Sequence, residues 1–154
     1  MAAEELKALA GHFANELFNK GNLAIVDELI APDAVDHNEP AGTDCREHFK
    51  RVAQMLRGAF PDLNMRPEMV IAEGDIVAAH VVMTGTHTGS GDFFGAAPSG
   101  KAFRVKQMRF LRFANGQVTD SWAVIDMLSW MQQLGKIPAV ARPEASGEAI
   151  IRGQ

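Results

Sequence analysis

The 154-residue sequence contains no tyrosine and a single cysteine, Cys45. Without tyrosine, one common acid and oxyanion donor is missing from any active site the chain can build. One cysteine makes no internal disulfide, which fits a reducing compartment and a cytoplasmic protein. Nowhere do about 18 apolar residues run together, the length a membrane-spanning helix needs. The opening Met1-Ala2-Ala3-Glu4-Glu5 is acidic and leads straight into an amphipathic pattern, so no secretory signal is expected. The 15 lysines and arginines lie singly, outnumbered by 19 carboxylates, for a net charge of −4. No basic stripe is present to neutralise a phosphate backbone, so nucleic acid is not an expected partner.

Against these absences stands a chain that is 47% hydrophobic. At this length a domain buries roughly 68–70% of its unfolded surface, enough for a core and an internal cavity. Leu6, Leu9, Phe13 and Leu17 recur at helical spacing between Glu4 and Lys20, with Gly21 as the stop. A shorter helix is expected from Leu23 to Ile30, ended by Ala31-Pro32-Asp33. The polar stretch Ala34 to Gly42 reads as a loop, and Thr43 or Asp44 as the N-cap of a third helix. That helix carries Phe49, Val52, Ala53 and Leu56 on one face and ends at Phe60-Pro61-Asp62.

Beyond it the period changes to two. Asn64 to Glu73 reads as a strand that Pro67 assigns to an edge or a bulge, and Ile76 to His87 as a long β-rich run. After the loop Gly89 to Gly100, Phe103 to Phe113 alternates apolar and polar residues. Asn115-Gly116 then predicts a tight hairpin into Val118–Asp126, which feeds a helix over Met127–Leu134 closed by Gly135. Helices first and hairpin-linked strands after them predict an α+β fold: a curved antiparallel sheet wrapped around about three N-terminal helices, a cone with an internal pocket. Residues 1–135 read as one domain. Residues 136–154, with only Ile150-Ile151 as a late apolar pair, read as a surface tail.

Several motifs fail on chemistry. Gly95 to Lys101 has phosphate-loop spacing, but Ala102 offers no hydroxyl, Pro98 removes a donor, and a strand follows instead of a helix. His37, His80 and His87 lack metal-ligand spacing, so no metal is expected; His12 and His48 read as helix-surface residues. No Gly-x-Ser-x-Gly elbow exists, and Cys45 has no base beside it. What remains is proton transfer without a cofactor. Asp126, if held in an apolar pocket beside Trp122, Phe110 and Met127, suits a general acid/base, with Arg109 favouring the carboxylate. It also stands where an Asp caps the last helix, alone or together with a pocket role. Gln107, Asn38 or His87 are placed to polarise a substrate carbonyl. Phe93 and Phe94 are expected to cover the pocket. The inward face of the last strand stays open, because a shift of one residue exchanges Ala123 and Asp126.

Ala31-Pro32-Asp33, Phe60-Pro61-Asp62, Gly85-Thr86-His87-Thr88-Gly89, Phe94-Gly95, Pro98-Ser99-Gly100-Lys101, Asn115-Gly116-Gln117-Val118, Trp122 to Asp126 and Gln133-Leu134-Gly135 follow one another in a familiar order. Over Leu6 to Gly135 the chain resembles the SnoaL-like polyketide (ester) cyclase family, whose fold is the nuclear-transport-factor-like cone. The resemblance implies a hydrophobic pocket, a homodimer or homotetramer, and a cofactor-free cyclase, isomerase or dehydratase acting on a small apolar carbonyl compound. It implies catalytic roles for Asp126, Arg109 and His87, and substrate contacts for Gln107, His37, Asn38, Trp122, Phe93 and Phe94. The positions matching the cyclases' catalytic Asp and neighbouring His fall on Ala123 and Arg109. A non-catalytic ligand-binding or dimerising module of the same fold is the alternative.

Overall fold

A computed structural model of the chain describes residues 1–138; the expected tail lies outside them from residue 139 onward. Helix α1 (Ala3–Ala14) buries Leu6, Ala10 and Phe13 and runs into one π-helical turn, Asn15–Asn19. Adjacent Leu17 and Phe18 in this wider turn are both buried in the core. Helix α2 (Ala24–Leu29) is short.

The next element corrects the sequence reading. Ile30–Asp36 is a strand, β1, where a helix end and a loop were expected. It pairs in parallel with the last strand, with an irregularity between Ile30 and Val35. Pro32 and that irregularity break the period-two pattern by which strands are recognised. Helix α3 (Cys45–Ala59) is capped by Asp44, whose Oδ1 accepts from the Glu47 N–H at 3.1 Å.

Strands β2 (Asn64–Glu73), β3 (Ile76–Thr86), β4 (Ala102–Ala114) and β5 (Gln117–Ile125) complete a five-stranded sheet in the order β1-β5-β4-β3-β2. All pairs except β1–β5 are antiparallel. β2 is an edge, and its register shifts between Pro67 and Met69, where the proline cannot donate. Between β4 and β5, Asn115 and Gly116 take φ of 52° and 75°, the pair of positive values a two-residue hairpin turn of matching twist requires. Helix α4 (Met127–Gln133) closes the described chain. The architecture is the α+β cone, with the helices against one face of the sheet.

The core converges on Phe60, just past α3. Its ring meets Phe103, His87, Phe93 and Trp130 at centroid distances of 4.7, 5.0, 5.2 and 6.0 Å. The loop that carries Phe93 and Phe94 is tied to α3 by Gly89, whose N–H donates to Ala59 O at 3.0 Å. A Cβ at Gly89 would stand 1.8 Å from Gly58 O, so only glycine permits this approach.

Candidate functional site

Strand β4 decides what the cone contains. Phe103, Val105, Leu111 and Phe113 are buried, so alternation turns Gln107 and Arg109 to the same inner face. Both line a cavity of about 200 Å³ and a smaller chamber of about 50 Å³ adjoining it. The larger one is walled mainly by apolar side chains, among them Met55, Met83, Phe93, Phe94, Ala123 and Trp130.

Its polar groups gather at one side. Asp36, at the end of β1, is only 8% exposed. Its Oδ1 accepts from the Asn38 N–H at 2.9 Å, and its Oδ2 lies 3.8 Å from His48 Nε2. The same His48 nitrogen is 3.0 Å from Glu39 Oε1. Arg109 donates from Nη1 to Ser121 Oγ at 2.5 Å, its one hydrogen bond among the described residues, and its guanidinium lies 5.5 Å from the centre of the Phe49 ring. Burial lowers the pKa of Arg109 from its ordinary value, and the negative charge of Asp36 offsets part of that. Gln107 is buried, and its amide makes only a weak contact with the Met65 sulfur at 4.0 Å. Most donors of these two side chains are left for a ligand.

Of the residues chosen from sequence, Arg109, Gln107, Asn38, Phe93 and Phe94 line the cavity. Asn38 is already engaged: its Nδ2 donates to Ala123 O at 2.6 Å and its Oδ1 accepts from Ala123 N–H at 2.7 Å. It latches β1 onto β5. Phe93 is buried, whereas Phe94, 64% exposed and at a φ of 47°, stands at the mouth.

The other four do not enter the cavity. Asp126 is exposed, and its Oδ1 caps α4 by accepting from the Ser129 N–H at 3.1 Å. The face left open is thereby assigned: Ala123 and Ile125 of β5 point inward and Val124 outward. Trp122 is on the outer face, stacked on His37 at 4.5 Å, with the Arg112 guanidinium 5.3 Å from the centre of its ring. His87 is fully buried beneath the Phe93 loop, with Nε2 2.9 Å from Gly91 O, and serves that loop's structure. Met83 of β3 is buried and points into the cavity. Among the described residues no three His, Cys, Asp or Glu side chains are grouped to hold a metal.

Sequence reasoning passed over Asp36, Glu39 and His48. One signal was available: His48, Val52 and Met55 recur at helical spacing beside the buried face of α3, and all three line the cavity. Cys45, at the start of that face, is buried, and burial pushes its thiol up to about 11, with Asp36 adding to the effect. It is no nucleophile at neutral pH.

On the outer face, His37 Nε2 lies 2.8 Å from Asp120 Oδ1. That hydrogen bond leads in holding the Asp120 carboxyl below the usual carboxylate range, with Thr119 and Arg112 contributing and burial opposing. A depressed folded pKa means stability that is present above the unfolded value of about 3.9 and lost as pH falls through the folded one. Urea melts of Asp120→Asn are therefore expected to start from a lower stability at pH 7 and to show a flatter decline below about pH 4 than the parent.

A five-stranded sheet curved around helices, with the Arg109 guanidinium on the wall of a largely apolar cavity, defines a cone-fold protein with an internal pocket. The comparisons with known proteins specify it further: the model of the SnoaL-like polyketide cyclases matches residues 8–134, and the chain belongs to that family. Among solved structures, IdmH, a putative polyketide cyclase from Streptomyces antibioticus, is 34% identical over 80% of this chain and 94% of its own, with a TM-score of 0.67. AclR, a putative hydroxylase from Streptomyces galilaeus, is 26% identical over 99% of this chain and 94% of its own, with a TM-score of 0.79. A putative polyketide cyclase from Acidithiobacillus ferrooxidans is 26% identical over 86% of this chain and 96% of its own, at 0.70. No match is found among curated proteins. No helix among the described residues is long and apolar enough to cross a membrane.

Proposed function

We propose that this chain is a cofactor-free acid/base enzyme acting on a small apolar carbonyl compound, with its chemistry at Arg109, Gln107 and the His48–Asp36–Glu39 group. The observation that carries the reading is Arg109: a cation kept inside a largely apolar cavity with most of its donors unused. A buried charge is costly to maintain, and it repays that cost where negative charge develops on a substrate. In this reading His48 takes a proton from the carbon beside the carbonyl. The bonding pair moves onto the carbonyl oxygen, which Arg109 and Gln107 hold as it becomes negative, and His48 returns the proton to the product. Asp36 and Glu39, at 3.8 and 3.0 Å from its Nε2, orient the imidazole. Asp126, outside the cavity, has the role of a helix cap.

The test is exchange of ketone α-protons for deuterium in D2O, followed by NMR across a panel of apolar ketones. His48→Gln is expected to slow exchange 10²- to 10⁴-fold, the usual contribution of general acid–base catalysis. Asp126→Asn is expected to keep the parent rate. Bound ketones with no exchange above solvent would favour the non-catalytic binding module, for which Ala123 on the cavity wall speaks, since the resemblance implies a carboxylate there.

We further propose that the outer sheet face joins two copies of the chain. Met69, Ile71, Met108, Phe110, Val124 and Leu128 are all at least half exposed on or beside that face, Val124 at 75%. Register places Met108 beside Val124 and Phe110 beside Trp122. An apolar patch that reaches across the sheet from β2 to β5 is unfavourable in water and is covered when two copies pack face to face about a two-fold axis. Sedimentation equilibrium is expected to give a dimer that Phe110→Glu converts to monomer; a monomeric parent at high concentration would refute this.

A further inference from the structure

The smaller chamber adjoins the main cavity, and the two share four wall residues: Phe18, Met65, Gln107 and Arg109. Apart from those last two, the inner chamber has only apolar walls, including Phe13, Val77, Val81 and Leu111. The space exists because small residues stand where large ones would close it. Ala10, Gly11 and Ala14 face it from α1, and Ala79 faces it from β3. A Cβ built on Gly11 meets nothing within 4 Å. An apolar void of this kind has nothing to offer water and forfeits contacts along its walls, so it is filled to best effect by an apolar group.

The position of the polar pair is what gives this chamber meaning. Gln107 and Arg109 stand at the waist between the two spaces, not at the end of either. We infer that the ligand is a two-part molecule: an apolar ring system in the outer cavity, a short aliphatic arm in the inner chamber, and the carbonyl oxygen at their junction. This deepens the proposed function and rests on it for the oxygen, while the arm rests on the chamber alone. The outer cavity, about 200 Å³, exceeds the ~150 Å³ known to admit benzene. At about 50 Å³, and with one water-sized probe needing ~10–15 Å³, the inner chamber takes an arm of about two to four carbons. Gly11 and Ala79, on opposite walls, set its length.

The test is binding of alkyl phenyl ketones, from acetophenone to hexanophenone, and of the matching alkylbenzenes, to the full chain, followed by chemical shifts of the Ala79 and Val77 methyls. For the parent, affinity is expected to rise about fourfold per methylene and to stop rising at an arm of about four carbons. Gly11→Leu and Ala79→Leu are each expected to shorten that limit, lowering the affinity ratio of valerophenone to acetophenone at least tenfold. Both are compared with the parent by thermal melting, and either one alone suffices. A limit shared by ketones and alkylbenzenes of equal affinity would sustain the two-chamber inference and defeat the oxygen-holding role of Arg109. A clear preference for ketones with no limit on arm length would do the reverse. Affinity loss that is equal for every arm length in both variants, or no binding of any probe, would overturn the inference.

Discussion

Urea denaturation of Phe60→Ala is expected to show a stability loss of about 3–5 kcal/mol, the range for removing a fully buried aromatic ring. Phe60 has no exposed surface and stands where three otherwise separate pieces meet: Phe103 from β4, Phe93 from the loop, and Trp130 from α4. Aromatic contacts add about 0.5–1.5 kcal/mol beyond burial, and here several are lost together. The surroundings have little freedom to collapse into the space, because the Gly89 backbone and the end of α3 are already in contact. Phe60→Leu, which keeps most of the volume, is expected to lose much less. A loss below about 2 kcal/mol for the alanine variant would show that the cluster repacks, against the close-packed interior argued here.

The second large effect is on chemistry. Arg109→Met is expected to reduce ketone exchange by about 10²–10³, the cost of removing one preorganised donor to a developing oxyanion. Methionine fills similar space with a flexible apolar chain, so the cavity persists while the charge goes. Arg109→Lys keeps the charge but loses the planar fork that reaches Ser121 and a ligand together, and is expected to recover only part of the rate. Equal rates for the parent and the methionine variant would remove Arg109 from the mechanism and leave it as a partner of Ser121.

The sequence makes the sheet legible wherever two apolar faces alternate without interruption. Buried Phe103, Val105, Leu111 and Phe113 set the parity of β4, and with it the inward direction of Gln107 and Arg109. Pro67 identified β2 as an edge with a register shift, and Asn115-Gly116 placed the hairpin. β5 is harder to read. An irregularity opposite Arg112 and Phe113 shifts its register, so Trp122, the largest apolar side chain on the strand, lies outside against His37. Asp126 satisfied a local rule and a site hypothesis at once, and the local rule, helix capping, accounts for its placement. The acidic half of the site was hidden for a different reason. Asp36 and Glu39 reach the cavity because β1 pairs with β5, and a short parallel edge strand interrupted by proline leaves no periodic mark.

That pairing also bears on how the protein comes to be folded. The Asn38–Ala123 latch joins residues 85 apart in the chain. Closing so long a loop costs chain entropy before any contact repays it, so β1 is expected to dock onto β5 late, after the local β4–β5 hairpin has formed. On a ribosome releasing the chain from its N-terminus, the two halves of the candidate site cannot meet until nearly all of the described sequence has emerged. A partly made chain therefore carries α1 to α3 with an open apolar face and no ligand site, a species for which aggregation competes with completion.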